Sequence, residues 1–244
     1  MRALLMGGQA CVLYGAAEFS RDTDLAVLAS GANLARLRLA LDDLRARVIA
    51  VPPFEERYLR AGHAVHFRCQ DAEALGMCVD VMTKMRGLDP FPKLWARRTS
   101  LELPDGTRCE VMSLPDLVKA KKTQRDKDWP MVRRLIEAHY FEHRERATAA
   151  QVRFWLEELR TPELLVETAR RWPAAWKAQK RHRALLALAR PGGEPELAEA
   201  LVREERVERE ADARYWQPLK AELERLTHER PPEATPPAGR GRPT

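Results

Sequence analysis

Two carboxylates two residues apart, Asp22 and Asp24, follow a pair of adjacent glycines, Gly7 and Gly8, near the start of the chain. Side chains alternate along a β-strand, so residues two apart point to the same side. Neighbouring carboxylates repel unless a cation lies between them, and a hard divalent ion with oxygen ligands suits that position. A glycine pair offers backbone amides to a phosphate with no side chain in the way. The segment reads as half of a magnesium site beside a phosphate-sized turn, the combination that nucleotidyl transfer needs.

One Asp-x-Asp pair is a weak signal; Asp126 and Asp128 repeat the spacing and are assigned no metal. Context raises the first pair, above all a third acid, Asp80, at the centre of the apolar run Met77–Thr83. A charge there is costly unless it is paired or bound to metal, so Asp80 is either a ligand or the partner of a nearby Arg or Lys.

Two further constellations compete. His139, Glu142 and His143 match the HxxEH spacing of inverted zinc peptidases, in which two histidines hold zinc and the glutamate is the base. A third ligand has to come from elsewhere, and an exposed, charge-rich helix end is the simpler reading. Between Ala169 and Glu194, basic residues including Arg170, Lys177, Arg181 and Arg183 are interleaved with Trp172 and Trp176. That pattern suits phosphate contact and base stacking, but tryptophans packed inward under a solvated basic face are favoured.

The elements that position these residues follow from periodicity. Strands are expected at 2–6, 22–29, 63–69 and 77–83, with a short helix over 9–14. Leucines 34, 37, 41 and 44 mark a helix over 33–47, with Asn33 as its cap. A hairpin over 101–112 turns at Asp105–Gly106. Helices then follow at 114–124, 128–143, 148–159, 162–188 and 195–228, the fourth ended or kinked by Pro173. The fold class is therefore α+β, a small mixed sheet with helices followed by a helical C-terminal region. The expected division is 1–136, a helical domain at 137–228, and a disordered proline-rich tail at 229–244.

The chain has 244 residues, with 42 basic against 36 acidic side chains and a net charge of +6. This balance permits a polyanionic partner without demanding one. Four cysteines with no CxxC spacing argue against zinc or a disulfide framework and fit a reducing cytoplasm. The uncharged run 3–17 is too short to span a bilayer, contains Gly-Gly and leads into Asp22; neither export nor membrane insertion is expected.

The Gly7–Gly8 turn, Asp22-Thr23-Asp24 and Asp80 together resemble the DNA polymerase β-like nucleotidyltransferase superfamily. More narrowly, they are similar to bacterial minimal and abortive-infection-type, toxin-like nucleotidyltransferases. Ser113-Leu-Pro-Asp-Leu-Val-Lys-Ala-Lys121, followed by Arg125, Lys127 and Asp128, is similar to that group's S-L-x-D-L-x-x-x-K helix and trailing R-x-K-D. The resemblance covers roughly residues 2–136. It implies a nucleotidyltransferase domain in which Asp22, Asp24 and Asp80 are catalytic and hold two magnesium ions, and an NTP, ATP among them, is the substrate. Gly7, Gly8, Ser20, Arg21 and Lys121 are the expected nucleotide contacts. Relatives often carry Arg two residues before the loop serine, where this chain has Glu18, and Arg21 is the candidate substitute. Relatives also usually place a helix before the first strand; either the true start lies upstream or other helices cover that edge.

The expected activity moves an NMP from an NTP to a hydroxyl of RNA or tRNA, a protein side chain or a small molecule. RNA leads because the helical half is basic, and a toxin-like role with an antitoxin partner follows by analogy. The rivals are an idle copy of the fold that binds nucleic acid, against which all three acids argue, and the zinc peptidase.

Overall fold

The computed structural model describes residues 1–229; apart from Glu229, the expected proline-rich tail lies outside the described residues. The first strand, β1 (Ala3–Met6), runs straight into α1 (Gly7–Leu13), and β2 (Asp22–Val27) returns antiparallel beside β1. Then come α2 (Gly31–Asp43), the two-residue β3 (Arg47–Val48), α3 (Glu56–Ala61), β4 (Val65–Arg68) and β5 (Cys78–Met82). A short α4 (Phe91–Ala96) precedes the hairpin β6 (Thr99–Glu102) and β7 (Arg108–Val111), with Gly106 in its turn at φ +82°. All seven strands form one mixed sheet in the order β3-β4-β5-β2-β1-β7-β6. Within it β2 is parallel to β5 and β1 is parallel to β7.

Beyond the sheet the chain is helical: α5 (Leu114–Lys121), α6 (Asp128–His143), α7 (Ala149–Glu158), α8 (Pro162–Arg171), α9 (Pro173–Gln179) and α10 (Glu194–Glu229). Pro173 divides the expected 162–188 helix into α8 and α9, and a 3-10 turn completes that span. At 36 residues, α10 is long enough to reach from the helical region back across the sheet.

Alternation along the strands sorts the core into two sides. Val27 of β2, Val79 and Val81 of β5, and Val65 and Phe67 of β4 pack against Leu34, Leu37 and Leu41 of α2 and Leu59 of α3. The intervening positions face the other way, where Ala26, Leu4 and Val111 join Leu117 and Leu135 of α5 and α6. That second cluster continues into Trp155, Leu165 and Leu197, so the C-terminal helices share the core of the sheet's other face. Helix α6 also runs unbroken through residue 136, where a domain boundary was expected.

Asn33 is not the cap of α2. Ser30 caps the helix, its side chain accepting from the Asn33 amide. The buried Asn33 side chain instead accepts from the Arg2 N–H and donates to the carbonyls of Arg2 and Leu28, tying α2 to the start of β1. The strand expected at 22–29 ends at Val27, and α2 ends at Asp43 rather than 47. Neither β3, α3 nor α4 was anticipated; each has six residues or fewer, too short for a readable period. No helix among the described residues is long and apolar enough to cross a membrane.

Candidate active site

Parallel pairing of β2 with β5 sets Asp24 opposite Asp80 as register partners and Asp22 opposite Cys78. Asp22, Asp24 and Asp80 therefore stand on one face, and all three line a cleft of about 430 Å³ between the sheet and the helices. The same alternation accounts for an acid inside an apolar strand. Val79 and Val81 serve the opposite core, while Asp80 faces the cleft. Burial is the main cause that raises the Asp24 pKa above the ordinary carboxylate range; the Asp80 charge adds to it, and Asp22 contributes a smaller push. Lys121 and the backbone N–H of Gly8 oppose that rise.

The glycine pair supports this carboxylate directly. Gly7 sits at φ +66°, a region where a side chain is strained, and a Cβ there would strike the Asp24 carboxylate. A Cβ on Gly8 would strike the Ser20 hydroxyl, which lies over the turn and donates to the Asp22 carbonyl at 3.3 Å. Both glycines and Ser20 line the cleft. Arg21 is exposed just before β2 and is not among the lining residues. Lys121 lines the cleft with its side chain only 14% exposed, its Nζ 3.2 Å from Asp128 Oδ1. Asp128 also accepts from Thr123 and Arg125, which explains a buried acid in the second Asp-x-Asp pair, while Asp126 pairs with Arg209.

The prominent residue missing from the sequence reading is His66. It is the register partner of Asp80 on β4, and its Nδ1 lies 2.7 Å from Asp80 Oδ1. Hydrogen bonding to Asp80 raises the imidazole pKa against the opposing effect of burial. The signal was present as a histidine between Val65 and Phe67 on a strand, but its partner becomes visible only with the register.

Helix α10 completes the cleft. Asp212 is buried and accepts from Arg86 Nε at 3.3 Å, from the Gln124 N–H at 2.9 Å and from Trp216 Nε1 at 3.2 Å. Arg86 also donates to Glu208 and to the Lys122 carbonyl, each at 2.8 Å. Further along, buried His63 meets Glu222 at 2.8 Å.

The donor chemistry of the three acids fits magnesium: hard oxygens on one face, with a desolvated carboxylate beside a second one. Among the described residues no group of three or more His, Cys, Asp or Glu side chains that could hold a metal ion is found. Magnesium does not require a cage of protein ligands, because it keeps waters and shares one or two carboxylates with substrate phosphates.

His139 accepts from Trp155 Nε1 at 2.9 Å and packs edge-on against Phe154 and His143. Burial, with a smaller effect from His143, pushes its pKa down to about 4. This is an aromatic packing site, and among the described residues no metal-holding group of three His, Cys, Asp or Glu is found there. In the basic stretch, Arg183 is buried against Glu204 and the carbonyls of Leu156 and Leu159. Trp172 packs on Trp155, and Trp176 donates to the Leu186 carbonyl, so both tryptophans turn inward.

No protein-family model matches the chain, and no curated protein matches it.

Proposed function

We propose that this protein is a magnesium-dependent nucleotidyltransferase, moving a nucleoside monophosphate from an NTP to a hydroxyl acceptor. The observation that carries the reading is the register pairing of Asp24 with Asp80, with Asp22 on the same face and the Gly7 turn against Asp24. In this reading Asp22, Asp24 and Asp80 would hold the two ions. Two magnesium ions bound there would supply neutralisation of the triphosphate charge and activation of the acceptor oxygen.

The chain's own groups divide the remaining work. Ser20, over the turn, donates to the triphosphate, and Lys121 adds positive charge from α5. Gly7 leaves room for the Asp24 carboxylate, and the Gly8 amide stabilises its ionised form. His66 orients Asp80 through one oxygen, leaving the other free for ion and acceptor. The acceptor oxygen attacks the α-phosphorus as the bond to the β-phosphate breaks, and the hydroxyl proton passes to Asp80. Pyrophosphate leaves.

Incubation with each labelled NTP, Mg²⁺ and total cellular RNA or lysate tests this. Label should pass to an acceptor with the wild type and not with Asp22→Ala. No transfer from any NTP, with either Mg²⁺ or Mn²⁺, overturns the reading.

A further inference from the structure

Helix α10 is fixed at one end and only fastened at the other. Leu197 and Leu201, near its start, are buried in the core shared with the helical region. Beyond them, among the described residues, the one buried side chain of α10 is that of Asp212. The rest of its inward stripe, Tyr215, Trp216, Leu219, Leu223 and Leu226, is only half-buried. Two cavities border that stripe. Trp216 and Leu223 line the cleft of about 430 Å³, and Leu226 lines a second, apolar cavity of about 400 Å³ with Val48, Val51 and Tyr58. After residue 218 two polar contacts tie the helix down among the described residues: Glu222 meets His63 at 2.8 Å, and Lys220 reaches the Gln124 side chain at 3.5 Å. The His63 side chain is 1% exposed, and its Nδ1 has no hydrogen-bond partner among the described residues. Glu222 is therefore the ring's single polar partner there. Pro218 stands between the Asp212 anchor and this contact. Proline has no N–H, so the Arg214 carbonyl loses its rung and the helix is weakest just past its deep anchor.

We propose that residues 219–229 are a lid over the candidate site, hinged at Pro218 and latched by Glu222 on His63. Closed, as here, the lid sets Lys220 and Leu223 against the cleft and covers His63. Opening swings Lys220 and Leu223 away, bares the His63 ring and widens the cleft on that side for a ligand to enter or leave. A segment held by few buried apolar contacts opens at small cost, and this one has none past Pro218 among the described residues. The lid governs entry to the cleft whatever reaction the cleft performs, so the proposal stands apart from the transferase reading.

Carbethoxylation of the full chain by diethyl pyrocarbonate reads the opening, with each modified histidine located by peptide mass spectrometry. Neither metal nor nucleotide is added. His66, half-exposed, is the internal rate standard. In the wild type His63 should react measurably, at least about tenfold more slowly than His66, through the open form. Glu222→Gln keeps the bulk of the latch and removes its charge. A charge-assisted hydrogen bond is about twice as strong as a neutral one, so His63 labelling should rise about three- to tenfold. Pro218→Ala alters no charge, returns a rung to the Arg214 carbonyl and should slow His63 labelling at least about twofold. His139, in the helical region, should react at one rate in all three proteins. The proposal is overturned if His63 stays unlabelled throughout, if Glu222→Gln does not speed its labelling, or if Pro218→Ala does not slow it. Acceleration of His139 in step with His63 also overturns it, because that marks general loosening. None of these outcomes depends on NMP transfer.

Discussion

Asp24 and Asp80, both half-buried, face each other across the parallel pair β2 and β5, and desolvation makes Asp24 hold its proton more tightly than an ordinary carboxylate. A fold that places two acids side by side in a half-buried cleft gives up stability at neutral pH. The natural compensation is a cation.

The first prediction concerns that cost. A carboxylate whose folded pKa is raised loses stability as pH rises through it, so removing the charge should help the metal-free protein at pH 7. Asp24→Asn should raise stability by about 1 kcal/mol while reducing transfer at least about a hundredfold. Thermal melts with and without MgCl₂ check it. Magnesium should raise the wild-type melting temperature and leave the variant unmoved; a shift that persists in the variant excludes Asp24 as a ligand.

His66 acts through Asp80. Replacing it with Phe should leave the melting temperature within about 2 °C, because His66 is half-exposed, yet slow transfer about 10- to 100-fold. His66→Asn, which keeps a donor near Asp80, should recover part of the loss. Equal activity of all three proteins would leave Asp80 oriented by something else.

Gly7 tests the close approach. Gly7→Ala combines a positive φ with a collision against the Asp24 carboxylate. It should cost about 1–2 kcal/mol from the backbone alone and abolish transfer. Gly15, also at positive φ, has open space around its Cβ position, so Gly15→Ala should show the backbone cost and keep activity.

Asp212 is the pin of α10. Its loss orphans the Gln124 amide and the Trp216 indole, while Arg86 keeps Glu208 and the Lys122 carbonyl. Asp212→Ala should destabilise by about 2–4 kcal/mol, the cost of leaving two donors without an acceptor at roughly 1–3 kcal/mol each. Hydrogen exchange should localise the loss to α10; uniform protection along α10 in the variant would contradict this.

His139 sets part of the acid limit. The unfolded chain takes up a proton near the ordinary 6.5, whereas the folded chain resists until about 4. Between those values the unfolded state binds the extra proton, so stability falls as pH drops through that window. His139→Gln should flatten denaturant-midpoint curves between pH 6.5 and 4. An unchanged slope would mean that other groups set the acid limb.

Much of the fold follows from local pattern, and the comparison is clearest at particular residues. The strand from Asp22, the hairpin at Asp105–Gly106 and the 128–143 helix stand as their periods and turn residues require. Asn33 shows the limit. Its type suits a cap, but Ser30 is three residues earlier and the Arg2 backbone competes for the amide. In the basic stretch Trp172 and Trp176 pack inward as expected, but Arg183 is not solvated: Glu204 and the carbonyls of Leu156 and Leu159 consume it.

Of the candidate site, the sequence alone determined that Asp22 and Asp24 share a side, because strand alternation is a property of the backbone. It also determined that Asp80 needed compensation, because an apolar strand cannot leave a charge bare. Only the tertiary structure decided that Asp80 lies opposite Asp24, that His66 is its partner, and that α10 lines the far side of the cleft. Those outcomes depend on register and on contacts between distant segments. Periodicity carries no information about them, since one residue's slip along β5 would turn Asp80 into the opposite core.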